Sequence, residues 1–116
     1  MPDVPNVWFI NFVDNPAVLN YSQHGEAQVP LDPQTGSIID VTGFRRVSIL
    51  IGSTNASSCV MYMGKISGTT LSQSFSVPLD AMIHTFEVIG PQMNLWLMGG
   101  KPNAIENVQL WVYLRS

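Results

Sequence analysis

The chain has 116 residues, enough for one domain with a sizeable core (1–116) and too few for a second. With 46% hydrophobic and only 11% charged residues, disorder is excluded, and part of the surface is expected to be covered by a partner or by further copies. The net charge of −3, with five Lys and Arg in all, provides no basic stripe for phosphates and argues against nucleic-acid binding.

The opening Met1-Pro2-Asp3-Val4-Pro5-Asn6 has neither the basic nor the apolar region of a signal peptide. No apolar run approaches the roughly 18 residues of a membrane span. These features predict a soluble protein. They are compatible with the cytoplasm, with a virion, or with secretion by a route that leaves no mark in the sequence. Val7 to Val13 reads as an apolar, aromatic strand closed by Asp14-Asn15-Pro16, and Ala17 to Tyr21 as a second. Pro30, Pro33 and Gly36 punctuate a turn region. Phe44 to Ile51 is a strand with Val47, Ile49 and Ile51 on one face. The segment 52–57 has the residues of a hairpin loop, Cys59 to Ile66 returns as a strand, and Gly68 to Ser76 is polar. Met82 to Ile89 and Met93 to Met98 follow, with 99–103 as a second hairpin loop. Val108 to Leu114 alternates cleanly, with Val108, Leu110, Val112 and Leu114 against Gln109, Trp111, Tyr113 and Arg115.

An internal repeat underlies this order. Val29-Pro30-Leu31-Asp32 recurs as Val77-Pro78-Leu79-Asp80, and Asp40-Val41-Thr42-Gly43 is echoed by Glu87-Val88-Ile89-Gly90. Leu50 and Gly52 match Leu97 and Gly99, Asn55-Ala56 matches Asn103-Ala104, and Val60 matches Val108. Short strands at regular spacing predict an all-β fold, a single antiparallel β-sandwich of the jelly-roll kind. It should have about eight strands and a pseudo-twofold repeat of 29–64 on 77–112. Gly43 and Gly90 sit where a strand would bend from one sheet to the other.

Three runs carry a resemblance: Gly-Phe-Arg-Arg-Val-Ser-Ile-Leu-Ile-Gly (43–52), His-Thr-Phe-Glu-Val-Ile-Gly-Pro (84–91) and Val-Gln-Leu-Trp-Val-Tyr-Leu (108–114). They resemble strands of galactose-binding-domain-like jelly rolls over the last three quarters of the chain. The resemblance implies a carbohydrate-binding or adhesive module with ligands held by loops at one end. It transfers no binding residue, because no motif matches residue for residue.

The residues that could carry chemistry form no constellation. Cys59 is the lone cysteine, which excludes an intrachain disulfide, and it reads as a buried structural thiol. His24 and His84 lack partners at metal-ligand spacing, so no metal or other cofactor is implied. The pairs Asp40/Glu87 and Asp32/Asp80 read as turn and strand-start residues that cap backbone amides, not as a glycosidase pair. No enzyme is therefore expected.

The informative surface is apolar. With Val108, Leu110 and Val112 inward, Gln109, Trp111, Tyr113 and Arg115 face out. The repeat-equivalent strand places Val60 and Tyr62 inward and Met61 and Met63 outward, and Trp96 aligns with Ile49. The outer face could be covered within the monomer, packed against another subunit, or open as an aromatic platform for sugar rings. The leading expectation is a non-catalytic structural or interaction module that forms a homo-oligomer through this face. The alternative is a carbohydrate-binding module that uses Trp111 and Tyr113, or the end loops with Asn55, Lys101 and Asn103.

Overall fold

The computed structural model describes residues 7–32, 36–65 and 72–116. Pro33 of the turn region, the strand end at Ile66, positions 68–71 of the polar segment and the N-terminal six residues lie outside these. Among the described residues there is no helix, and eleven strands form antiparallel pairs. They are β1 (Val7–Asn11), β2 (Ala17–Asn20), β3 (Ala27–Gln28), β4 (Ile39–Asp40), β5 (Arg46–Ile51), β6 (Ser58–Gly64), β7 (Ser72–Ser76), β8 (His84–Glu87), β9 (Gln92–Met98), β10 (Ile105–Val108) and β11 (Leu110–Arg115).

Three pairs of these are halves of interrupted strands. β10 and β11 are separated only by Gln109, and β2 and β1 run beside them in turn. β3 and β4 pair with opposite ends of β9. With each such pair counted as one, eight strands remain, numbered here along the chain. The first sheet, β1-β11-β5-β8, is prolonged beyond the strand breaks by the separate two-stranded pair β2-β10, and together they give the order first, eighth, third, sixth. The second has the order second, seventh, fourth, fifth (β3/β4, β9, β6, β7). Apart from the β6–β7 hairpin, successive strands hop between sheets in the manner of a jelly roll, and the expected sandwich of about eight strands is what the chain forms.

Alternation decides which side chains meet between the sheets. The first sheet turns Val47, Ile49, Ile51, Leu110, Val112 and Leu114 inward. The second turns Cys59, Met61, Met63, Met93, Leu95 and Leu97 inward. At one edge Phe75 of β7 meets Phe86 of β8, with ring centroids 6.0 Å apart.

Two expectations about loops and faces are corrected here. The segments 52–57 and 99–103 are not hairpin loops. β5 lies in the first sheet and β6 in the second, while β9 lies in the second sheet and β10 pairs with β2, so both loops are corners between sheets. Turn residues mark a reversal but do not say which sheet the next strand joins. Met61 and Met63 are not on the surface. Both are fully buried, and Val60 and Tyr62 take the outer side. In Cys59-Val60-Met61-Tyr62-Met63 both alternate sets are apolar, so hydrophobicity alone cannot set the phase.

Residues that the sequence repeat aligns differ in burial. β5 lies between β8 and β11, and β9 between β4 and β6. Ile49 is buried where its sequence counterpart Trp96 is half-buried, and Val60 is half-buried where its counterpart Val108 is buried. The bends at Gly43 and Gly90 do lie where the chain passes between sheets. A Cβ on Gly90 would collide with the backbone of Gly64, so the close approach of the two segments requires glycine there. β7, β10 and the short β3 and β4 were not expected as strands, because their sequences are polar or too short to show a period.

The burial of Met61 generates a test. Met61→Ala should lower unfolding stability by about 2–5 kcal/mol in urea denaturation, as for other core truncations. A surface methionine would change it by less than about 0.5 kcal/mol.

Candidate functional site

The inward phase of β11 places Trp111, Tyr113 and Arg115 on the outer face of the first sheet, as expected. β1 lies beside β11, with Phe9 opposite Tyr113 and Asn11 opposite Trp111. The N-terminal strand therefore widens this face and adds an aromatic ring to it. Phe9 contacts Trp111 at 5.8 Å and Tyr113 at 5.9 Å between centroids, both edge to face, and Trp111 and Tyr113 are 6.3 Å apart. Such edge contacts satisfy the ring quadrupoles. Phe9 remains 47% exposed, and Trp111 and Tyr113 are half-buried. Across β5 the rows continue with Leu50 opposite Trp111 and Ser48 opposite Tyr113. Ser48 and Thr85 of β8 share a hydroxyl hydrogen bond of 2.8 Å. The face thus runs from aromatic and apolar at the Trp111 end to charged at the Arg115 end.

Gln109 is not part of the aromatic group. Its side-chain amide donates to the Val13 carbonyl at 2.9 Å and ties the β1–β2 corner to the break between β10 and β11. Arg115 lies opposite Arg46 at the far end of the sheet, beside Arg45 and Glu87.

The structure brings two of the three end-loop candidates together. The Asn55 side-chain carbonyl accepts from the Lys101 backbone amide at 3.3 Å. Asn103 adopts a left-handed φ of 59° and donates its amide to Ser22 at 3.1 Å. What holds this end is a group that the sequence did not reveal. The Glu106 carboxylate accepts from Tyr21 Oη at 2.6 Å, Thr54 Oγ1 at 2.7 Å and the Asn55 amide at 2.7 Å. Gly100 has no side chain, and any Cβ there would strike the Tyr21 ring. Burial opposes ionisation of Glu106, but the three hydrogen bonds outweigh it and hold its carboxyl below the ordinary value. Burial first, and then the hydrogen bond to Glu106, push Tyr21 up to about 12. The end loops are therefore braced corners.

The other candidates are local. Asp40 accepts from the Thr42 amide at 2.8 Å and Asp80 from the Met82 amide at 3.1 Å, the capping role expected of them. His84 Nε2 and Asp80 Oδ1 are 2.8 Å apart, and this hydrogen bond lowers the Asp80 carboxyl. Among the described residues Asp80 is the only hydrogen-bond partner of the His84 side chain. Cys59 is buried, and burial pushes its thiol up to about 12, which leaves it unreactive. Among the described residues, no three His, Cys, Asp or Glu gather to hold a metal. No described helix is long and apolar enough to cross a membrane. On the second sheet, Asn94 is opposite Tyr62 and is 5% exposed, with its side-chain oxygen unpartnered.

Fold and surface together define an antiparallel jelly-roll sandwich with an aromatic patch on one sheet. No protein-family model matches the chain, and no curated protein matches it. Among solved structures the chain is similar to the Tobacco streak virus coat protein, in a structure of its dimer. The identity is 13% and the TM-score 0.37, over 100% of this chain and 89% of that one. A likeness at this level carries no argument about function.

The brace around Glu106 predicts a pH dependence. Its folded-state pKa lies below the unfolded value, so its contribution is present above the ordinary carboxyl range and is lost as pH falls through the folded-state value. Glu106→Ala should lower stability by about 2–3 kcal/mol near neutral pH, and denaturation curves should show the gap to wild type closing under acid.

Proposed function

We propose that the protein is a non-catalytic structural module that self-associates through the outer face of its first sheet. The observation that carries this reading is the cluster of Phe9, Trp111 and Tyr113, three rings in mutual contact on an open sheet face with Phe9 half exposed. Large aromatic side chains at the centre of a patch with a polar rim are the composition of interface cores. Here the rim is supplied by Asn11 and the hydroxyls of Ser48 and Thr85. A second copy fits because one patch on each of two chains closes a twofold pair with no further surface needed.

The ring geometry favours this occupant over a sugar. The three rings are tilted by 54–68° to one another and present edges and corners in place of a flat stacking plane. The end loops are likewise tied by Glu106 to positions that leave Asn55 engaged within the protein. The non-catalytic part of the reading is supported by the inert Cys59 thiol and the bare Asp80–His84 pair.

Size-exclusion chromatography with light scattering tests it. Wild type should elute as an oligomer, and Trp111→Lys should give folded monomers with an unchanged far-UV spectrum. A wild-type monomer at high protein concentration would end the self-association reading, and so would an oligomer that Trp111→Lys leaves intact.

A further inference from the structure

The opposite end of the same sheet carries a feature that packing does not explain. Of the five Lys and Arg in the chain, three gather in one recess of about 670 Å³ lined by Arg45, Arg46, Glu87, Arg115 and Ser116. Arg46 and Arg115 are directly opposite each other on neighbouring antiparallel strands. Facing positions of this kind bring Cβ atoms to about 4.5–5.5 Å, and like charges placed so repel. Arg45 joins them from the start of β5, where its amide donates to the Arg115 carbonyl at 2.9 Å. Glu87 stands opposite Arg46 on the other side and offsets one of the three charges. Glu87 is the only side-chain carboxylate among the residues that line the recess.

A chain with a pI near 5.0 and few cations thus concentrates most of them where they repel one another. Stability alone would disperse them. A bound anion would reverse the sign of the interaction, since guanidinium groups present planar, paired N–H donors that match oxyanions.

We propose that this recess is an anion-binding site for a tetrahedral oxyanion, a phosphate or sulfate group, held by Arg45, Arg46 and Arg115. Glu87, opposite Arg46, limits the net charge of the site. The inference stands apart from self-association, because the recess lies beyond the aromatic cluster and is formed within one chain.

Isothermal titration of the full chain with inorganic phosphate and with inorganic sulfate, at ionic strength held constant with sodium chloride, tests the proposal. Saturable one-to-one binding is expected for at least one of them, and the tighter of the two names the group. Arg46→Gln and Arg115→Gln should each weaken binding about tenfold or more, and Glu87→Gln should tighten it. Trp111→Lys should leave it unchanged, which separates this site from the proposed interface. Without the anion at low salt, Arg115→Gln should melt at the same temperature as wild type or higher, because a like-charge contact has been removed. Three results would overturn the proposal. One is the absence of saturable binding of either anion at tens of millimolar. Another is binding that both arginine variants leave intact. The third is a lower melting temperature of Arg115→Gln without anion, which would make that guanidinium a structural bond.

Discussion

Everything on the surface of this protein follows from the packing of two sheets on one shared layer of side chains. Val47, Ile49, Ile51, Leu110, Val112 and Leu114 on one sheet, and Met61, Met63, Met93, Leu95 and Leu97 on the other, exclude water from each other's faces. A strand has only two sides, so each inward set fixes an outward one. The inward phase of β11 is what turns Trp111, Tyr113 and Arg115 out, and the inward phase of β5 does the same for Arg46, Ser48 and Leu50. Register then sets the rows: Phe9 with Tyr113, Trp111 with Leu50, Arg115 with Arg46. The aromatic patch and the basic recess are two ends of one outward surface that the core has specified.

The jelly-roll path makes this surface possible because it divides labour between the corners and the faces. The corners at 52–57 and 99–104 carry the chain between sheets and are drawn together through Glu106, Tyr21, Thr54 and Asn55. A carboxylate with three short donors in a half-buried place is a stiff element, and it suits a brace better than an adaptable ligand loop. The corners tie the two sheets together, and the outer face of the first sheet carries the aromatic and arginine groups.

That surface is graded. Its aromatic end is the part that the proposed self-association would remove from water, whereas burying its arginine end would cost free energy without a neutralising anion. The two ends share one sheet, yet the arginine recess is built within one chain and lies beyond the rings. Low overall charge heightens the contrast, because few other ionic groups compete with the recess.

The sequence by itself determined the fold class, the main strands, the glycine bends between sheets and the outward set of the last strand. Val108 to Leu114 alternates large aliphatic with polar or aromatic residues, and that contrast defines a phase. Tertiary structure decided the rest. In Cys59 to Met63 both sides are apolar, so only the opposing sheet could choose Met61 and Met63 for the core. Turn residues marked the corners, yet only strand pairing showed that they join different sheets. Glu106, an acidic residue in a strand beside Ile105, was the local sign of the brace, but its partners lie up to 85 residues away. Arg45 and Arg46 are adjacent in sequence, and nothing local announces that Arg115 will face them. Alternation is a short-range property carried by neighbouring side chains. Register and sheet membership are long-range properties, settled only when distant strands compete for the same core.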